Sequence, residues 1–148
     1  MNIIFVCHGN ICRSPVAGIL FSNLVKENGL ENKISVLSRA TSFEEIGNDI
    51  YPPMKKVLNI HKIPYENHFA TRITTQEFNN ADYIFYMDSN NLYYLRRMFG
   101  ESSKFHLISE YYNNEEIEDP WYTDRFEFVY EEIKKSIDKI FEYISKLL

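Results

Sequence analysis

The chain has 148 residues, a formal net charge of −5, and 45% hydrophobic against 25% charged residues, which predicts one compact domain over residues 1–148. The acidic balance argues against nucleic acid or an anionic membrane surface as a partner, so any anion site must be local. The N-terminal apolar run is too short for a signal peptide or a membrane span, and the two cysteines, Cys7 and Cys12, are no disulfide framework; the expected compartment is the cytoplasm.

Asn2 to Val6 reads as a buried strand, because Ile3-Ile4-Phe5-Val6 is apolar throughout and suits a central parallel strand covered on both faces. Cys7-His8-Gly9-Asn10-Ile11-Cys12-Arg13-Ser14-Pro15 then separates it from an amphipathic run starting at Val16. Strand, tight loop and helix in that order turn backbone N–H groups and the positive end of a helix dipole toward one centre. Arg13 adds a planar fork that matches two oxygens of a phosphate. The same surroundings favour the thiolate of Cys7, since thiol pKa falls to about 3.5–7.5 beside cations and helix N-termini. Nucleophile and anion cradle (His8, Gly9, Asn10, Ile11, Cys12, Arg13 and Ser14) thus share one loop, the geometry for attack on a phosphoryl group. Gly9 suits positive φ or a close ligand approach, and Asn10 tolerates the left-handed region. Ser14 reads as the helix N-cap and Pro15 as the first helical residue. His8 reads as a rim residue touching substrate; with no second ligand near it in sequence, no metal site is expected.

Val16, Ile19, Leu20 and Leu24 repeat at helical spacing to about Asn28, with Gly29 as the stop. Ile34 to Ser38 predicts a second strand, hence a βαβ unit and a parallel sheet. In the following loop, to Gly47, Glu44 and Glu45 taken alone are solvated charges. Pro52 and Pro53 open a helix holding Met54, Val57, Leu58 and His61, and Pro64 closes that segment. Thr74 to Asn80 is a short helix, and Tyr83 to Met87 a third buried strand. Asp88 either supports a ligand crevice at the strand's C-terminal end or, the favoured choice, caps a helix from Ser89 to Met98. Lys104 to Ile108 is the fourth strand. Ser109 to Asp119 is a long polar connection leading into Pro120-Trp121-Tyr122. From Asp124, one helix carries Phe126, Val129, Tyr130, Ile133, Ile137, Ile140, Phe141, Ile144 and Leu147 as a core-facing stripe. The fold class is α/β: a four-stranded parallel sheet, first strand central, with helices on both faces and the phosphate-binding loop between the first strand and the first helix.

Cys7, Gly9, Asn10, Cys12, Arg13, Ser14 and Pro15 fill every fixed place of the signature Cys-x-Gly-Asn-x-Cys-Arg-Ser-Pro, and over essentially its whole length the chain resembles the low-molecular-weight protein tyrosine phosphatases. Asp119-Pro120-Trp121-Tyr122 lies where that family keeps its Asp-Pro-aromatic-aromatic loop. The resemblance implies hydrolysis of phosphotyrosine in proteins, and of small aryl phosphates, through a cysteinyl-phosphate. Cys7 is then the nucleophile, Arg13 the phosphate ligand and Asp119 the acid, with Trp121 and Tyr122 walling a cleft rimmed by His8 and Ile11. It gives Ser14 a hydrogen bond to the Cys7 thiolate besides its capping role. It makes His68 a buried histidine bonded to the loop through Asn10, and pairs Cys7 with Cys12 in a reversible disulfide. The substrate-facing position of the 38–47 loop, often aromatic in the family, falls on Glu44, with Phe43 adjacent. Arg39 stands where small residues are usual. The family's arginine after the histidine falls at Thr71, and Arg72 is given no role. Arg13 and the loop amides supply the positive potential, so no cofactor is expected; the protein is expected to be a monomer.

Four alternatives compete. Arsenate reductases of this fold relay a disulfide through downstream cysteines, and none follows Cys12. Protein arginine phosphatases carry Thr where this loop has Ile11. A phosphocysteine carrier would pass the phosphoryl group to a sugar and has no use for the Asp119 loop. A phosphopeptide-binding module without turnover has no use for Cys7 and Asp119 together.

Overall fold

The computed structural model describes residues 1–148. The elements follow in the order β1 (Asn2–Cys7), α1 (Arg13–Glu27), β2 (Ser35–Ala40), α2 (Pro52–Ile60), α3 (Thr75–Asn80), β3 (Tyr83–Tyr86), α4 (Ser89–Phe99), β4 (Phe105–Leu107), α5 (Pro120–Thr123) and α6 (Phe126–Ser145). All four strands are parallel, in the order β2-β1-β3-β4. The chain steps from β1 to one side and returns to the other, so the order reverses between β1 and β3. In open parallel sheets the crevice beyond the strand C-termini at such a reversal is where ligands bind. Cys7 ends β1 there, and Asp88 follows β3.

Alternate residues of β1 serve two cores, which is why the strand is apolar at consecutive positions. Ile3, Phe5 and Cys7 join the larger cluster with Val16, Phe21, Val129 and Ile137 of α1 and α6. Ile4 and Val6 join Ile84, Ala81 and Leu95 on the opposite face. The fold class expected from sequence is the one observed.

Local differences have physical causes. β2 runs to Ala40 rather than stopping at Ser38, because Arg39 and Ala40 pair with Val6 and Cys7 and carry the sheet to the end of β1. Helix α1 starts at Arg13 with Cys12 as N-cap, so Ser14 is no cap and Pro15 is the third helical residue. Its buried face is completed by Phe21 and Val25, with Ile19 and Leu24 half-buried at the margins. His61 caps α2 rather than lying inside it. The connection after β4 contains the short α5, and Asp124, at φ 60°, ends it before α6 begins at Phe126. Leu147 lies beyond α6 and is exposed. No helix is long and apolar enough to cross a membrane.

Candidate active site

The loop after β1 is held from inside by Asn10, which is fully buried and stands at φ 60°. Gly9 does not take positive φ; its lack of a side chain instead admits the neighbouring loop, since a Cβ there would meet Glu45 Cγ at 3.2 Å. Asn10 Nδ2 donates to Ser14 Oγ at 2.8 Å and to Ser38 Oγ at 3.2 Å, while its Oδ1 accepts from Thr71 N–H at 3.1 Å. His68 Nε2–H donates to the Asn10 carbonyl at 2.6 Å. Burial pushes the His68 pKa down, which keeps the ring neutral and the other nitrogen free of a proton.

These bonds aim three groups at one sulfur. Asn10 N–H and Ser14 N–H donate to Cys7 Sγ at 3.3 and 3.4 Å, and Ser14 Oγ lies 3.0 Å away. Because Ser14 Oγ already accepts from Asn10, its own proton is left for Cys7 Sγ or for the Arg39 carbonyl at 3.3 Å. A thiolate is the stronger acceptor of the two. Cys12 is a different thiol: burial, with Cys7 and Asp119 nearby, pushes its pKa far up and keeps it protonated.

Arg13 is 2% exposed. Its Nη1 donates to Asp88 Oδ2 at 2.7 Å and to the Ile117 carbonyl at 2.9 Å, and its Nη2 lies 3.5 Å from Asp119 Oδ2. Burial alone would lower the guanidinium pKa; Cys7, Asp88 and Asp119 around it outweigh that and hold it above its usual value. Asp88 performs both functions considered for it, since its Oδ1 caps α4 through Asn91 N–H at 2.9 Å while Oδ2 holds Arg13. Asp119 is likewise divided: Oδ1 accepts from Trp121 N–H at 3.0 Å and Oδ2 faces Arg13.

Cys7, His8, Gly9, Ile11, Cys12, Arg13, Glu44, Glu45, Asp119, Trp121 and Tyr122 line one open cleft. Glu44, not Phe43, faces it, and pairs with His8 Nε2 at 3.0 Å across the rim. Trp121 and Tyr122 stand exposed at the mouth. Behind Trp121, the Tyr51 ring packs at 4.9 Å, and Tyr51 N–H donates to the Ile11 carbonyl at 2.9 Å. The start of α2 therefore supports both the loop and the aromatic wall. The arrangement can hold a tetrahedral dianion on Arg13 and the loop amides, with a sulfur beneath it and a carboxylate above. The groups nearest to a cation-binding arrangement, His61, Glu127 and Glu131, have ligand atoms within 4.8 Å of one another and lie apart from this cleft.

Residues 2–147 match the family model described as low molecular weight phosphotyrosine protein phosphatase. The chain belongs to this family. Its relatives include the low molecular weight protein-tyrosine-phosphatase YfkJ of Bacillus subtilis, 32% identical over 99% of this chain and 97% of that protein. The crystal structure of YfkJ superposes with a TM-score of 0.93, covering 99% and 95% of the two chains. The low molecular weight phosphotyrosine protein phosphatase of Gallus gallus is 39% identical over 88% of this chain and 87% of its own. The Drosophila arginine phosphatase DARP also shares the fold, with 28% identity, a TM-score of 0.86, and 97% and 98% coverage.

Within this family frame, the residues singled out from sequence fall into two groups. Cys7, His8, Gly9, Ile11, Cys12 and Arg13 of the loop, with Asp119, Trp121, Tyr122 and Glu44, line the cleft, whereas the side chains of Asn10 and Ser14 are buried behind it and His68 bonds to Asn10. Sequence reasoning missed Tyr51 and the Ile117 carbonyl, and placed Asp88 mainly as a cap. Asp88 alone carried a signal, an acid at the C-terminal end of a central strand. A backbone carbonyl carries none, and Tyr51 only adjoins Pro52.

Proposed function

We propose that this protein hydrolyses phosphotyrosine in protein substrates through a cysteinyl-phosphate intermediate. The observation that carries this is the convergence of two N–H groups and a hydroxyl on Cys7 Sγ, beside a buried Arg13. Arg13 and the loop amides bind the phosphoryl oxygens and stabilise their charge in the transition state. The Cys7 thiolate attacks phosphorus in line; the S–P bond forms as the bond to the phenolic oxygen breaks. Asp119 gives its proton to that oxygen, then takes one from the water that attacks phosphorus and frees Cys7. The Ser14 hydroxyl stabilises the departing thiolate, and Trp121 and Tyr122 flank the ring.

The test is turnover and binding by two variants. Cys7→Ser should lose aryl phosphatase activity and still bind inorganic phosphate, whereas Arg13→Ala should lose both. Substantial hydrolysis by purified Cys7→Ser would rule out the covalent route.

Phosphoarginine is the second substrate to consider, because the Glu44 carboxylate in the cleft can accept from a guanidinium. Ile11 and the faces of the Trp121 and Tyr122 rings favour a phenyl group, being apolar surfaces against which a planar ring packs. Peptides carrying phosphotyrosine, phosphoarginine or phosphoserine separate the two, and phosphotyrosine should give the highest kcat/KM.

A further inference from the structure

The loop that walls the cleft has a second face. Glu44 and Glu45 turn to the cleft, whereas Phe43 and Ile46 line a separate groove together with Ala70, Ile73, Met98 and Phe99. Phe43 is 69% and Ile46 50% exposed, while Ala70 and Ile73 are buried beneath. Arg72 holds Phe43 upright: its guanidinium lies 4.1 Å over the ring, and its Nε donates to the Thr41 carbonyl at 3.3 Å. An apolar groove kept open in this way leaves hydrophobic surface in water that a bound side chain would cover.

Two routes join the groove to the catalytic cleft. One is the 43–46 loop itself, whose Glu44 and Glu45 line the cleft and whose Phe43 and Ile46 line the groove. The other is α4: the Tyr94 ring lies 6.1 Å from the His8 ring at the cleft rim, and Met98 is one helical turn further on. A chain leaving the cleft past His8 meets Tyr94 and then the groove. Main-chain groups are available as well. Arg72 forms an isolated parallel bridge with Ala40, made by Thr71 O and Ile73 N, so its own N–H and C=O point away from Ala40 and take no partner. Extended peptides bind such open edges through main-chain bonds and select side chains through adjacent pockets.

We propose that this groove docks the substrate segment next to the phosphorylated residue and takes an apolar side chain from it. The proposal rests on the assignment of the cleft to phosphotyrosine. The occupant is substrate because the groove shares the 43–46 loop with the cleft and is continuous with the cleft rim through Tyr94 and Met98.

The experiment measures kcat and KM for phosphotyrosine peptides in which a single Leu replaces Ser at each of the positions flanking the phosphotyrosine, with p-nitrophenyl phosphate as the reference. On one side, Leu at one position should lower KM about tenfold, equivalent to about 1.4 kcal/mol, with kcat unchanged. Phe43→Ser and Ile46→Ser, both at exposed sites that spare the core, should erase that preference and leave p-nitrophenyl phosphate turnover as in wild type. A flat scan, or a preference that survives both substitutions, would overturn the proposal while leaving the catalytic assignment standing. So would a change in self-association alone, which would make the groove a contact between copies of this chain. Wild type inactive on every aryl phosphate would overturn the catalytic assignment and the docking site with it.

Discussion

Asn10 occupies a backbone conformation that costs most side chains energy, and it recovers that cost through its amide. A glycine would take the same φ but leave Ser14, Ser38 and Thr71 without their partner. Cys12, next to it in the cradle, is kept protonated by burial and by the charges beside it, so it does not compete with Cys7 as nucleophile. Asp119 is the residue whose role is most directly measurable. Tyrosinate is a poor leaving group, because tyrosine has a pKa of about 10. Asp119→Ala should therefore slow phosphotyrosine hydrolysis by about 10²–10⁴-fold, the usual contribution of a positioned acid. The defect should shrink as the leaving phenol becomes more acidic. A loss equal for acidic and basic phenols, measured across a series of aryl phosphates, would remove Asp119 from that step.

At the scale of elements, Asp88 joins β3, α4 and Arg13 through the two oxygens of one carboxylate. Its variants separate the two functions. Asp88→Asn keeps an oxygen for the cap but turns an amide N–H₂ toward Arg13 in place of the charged acceptor, so KM for an aryl phosphate should rise severalfold and Tm should fall through the lost pair alone. Asp88→Ala loses the cap as well, worth about 1 kcal/mol, and its Tm should lie about 2–4 °C below that of Asp88→Asn. If Asp88→Asn matched wild type in KM, the charge would have no part in orienting Arg13. The elements themselves were legible because their signals are local and periodic: the apolar run of β1, the stripe on α6, Pro52 before α2. The loop residues were legible because Cys7 to Pro15 form one continuous motif. What surrounds them was not. Whether Phe43 or Glu44 faced the cleft depends on the turn of a loop fixed by Ser42 on the His8 carbonyl and Gly47 on the Ala70 carbonyl. The choice of Ser14 as cap failed because the helix starts two residues before Pro15, where Cys12 occupies the capping position.

For the molecule as a whole, the neutral His68 makes stability depend on pH. Burial lowers its pKa below the usual 6.5, against the opposing influence of the Asn10 carbonyl and Asp49 and with help from Arg39. The unfolded chain then binds a proton that the folded chain refuses. Stability from this source is complete above about pH 6.5 and is lost as pH falls from there through the lower folded value. Denaturant unfolding between pH 7.5 and 5 should show a steeper loss in wild type than in His68→Gln, which retains an N–H for the Asn10 carbonyl. Equal slopes would mean that His68 is not the group responsible. The ties that shape the loop reach far along the chain: Ser38 is 28 residues from Asn10, His68 58 and Thr71 61, while Asp88 is 75 and Ile117 104 residues from Arg13. Bringing such distant partners together is the slow, entropically expensive part of folding. Secondary structure can therefore form early and locally while the cradle waits for nearly the entire chain to find its place, and a nascent chain halted before residue 117 would carry the complete signature motif without a working site.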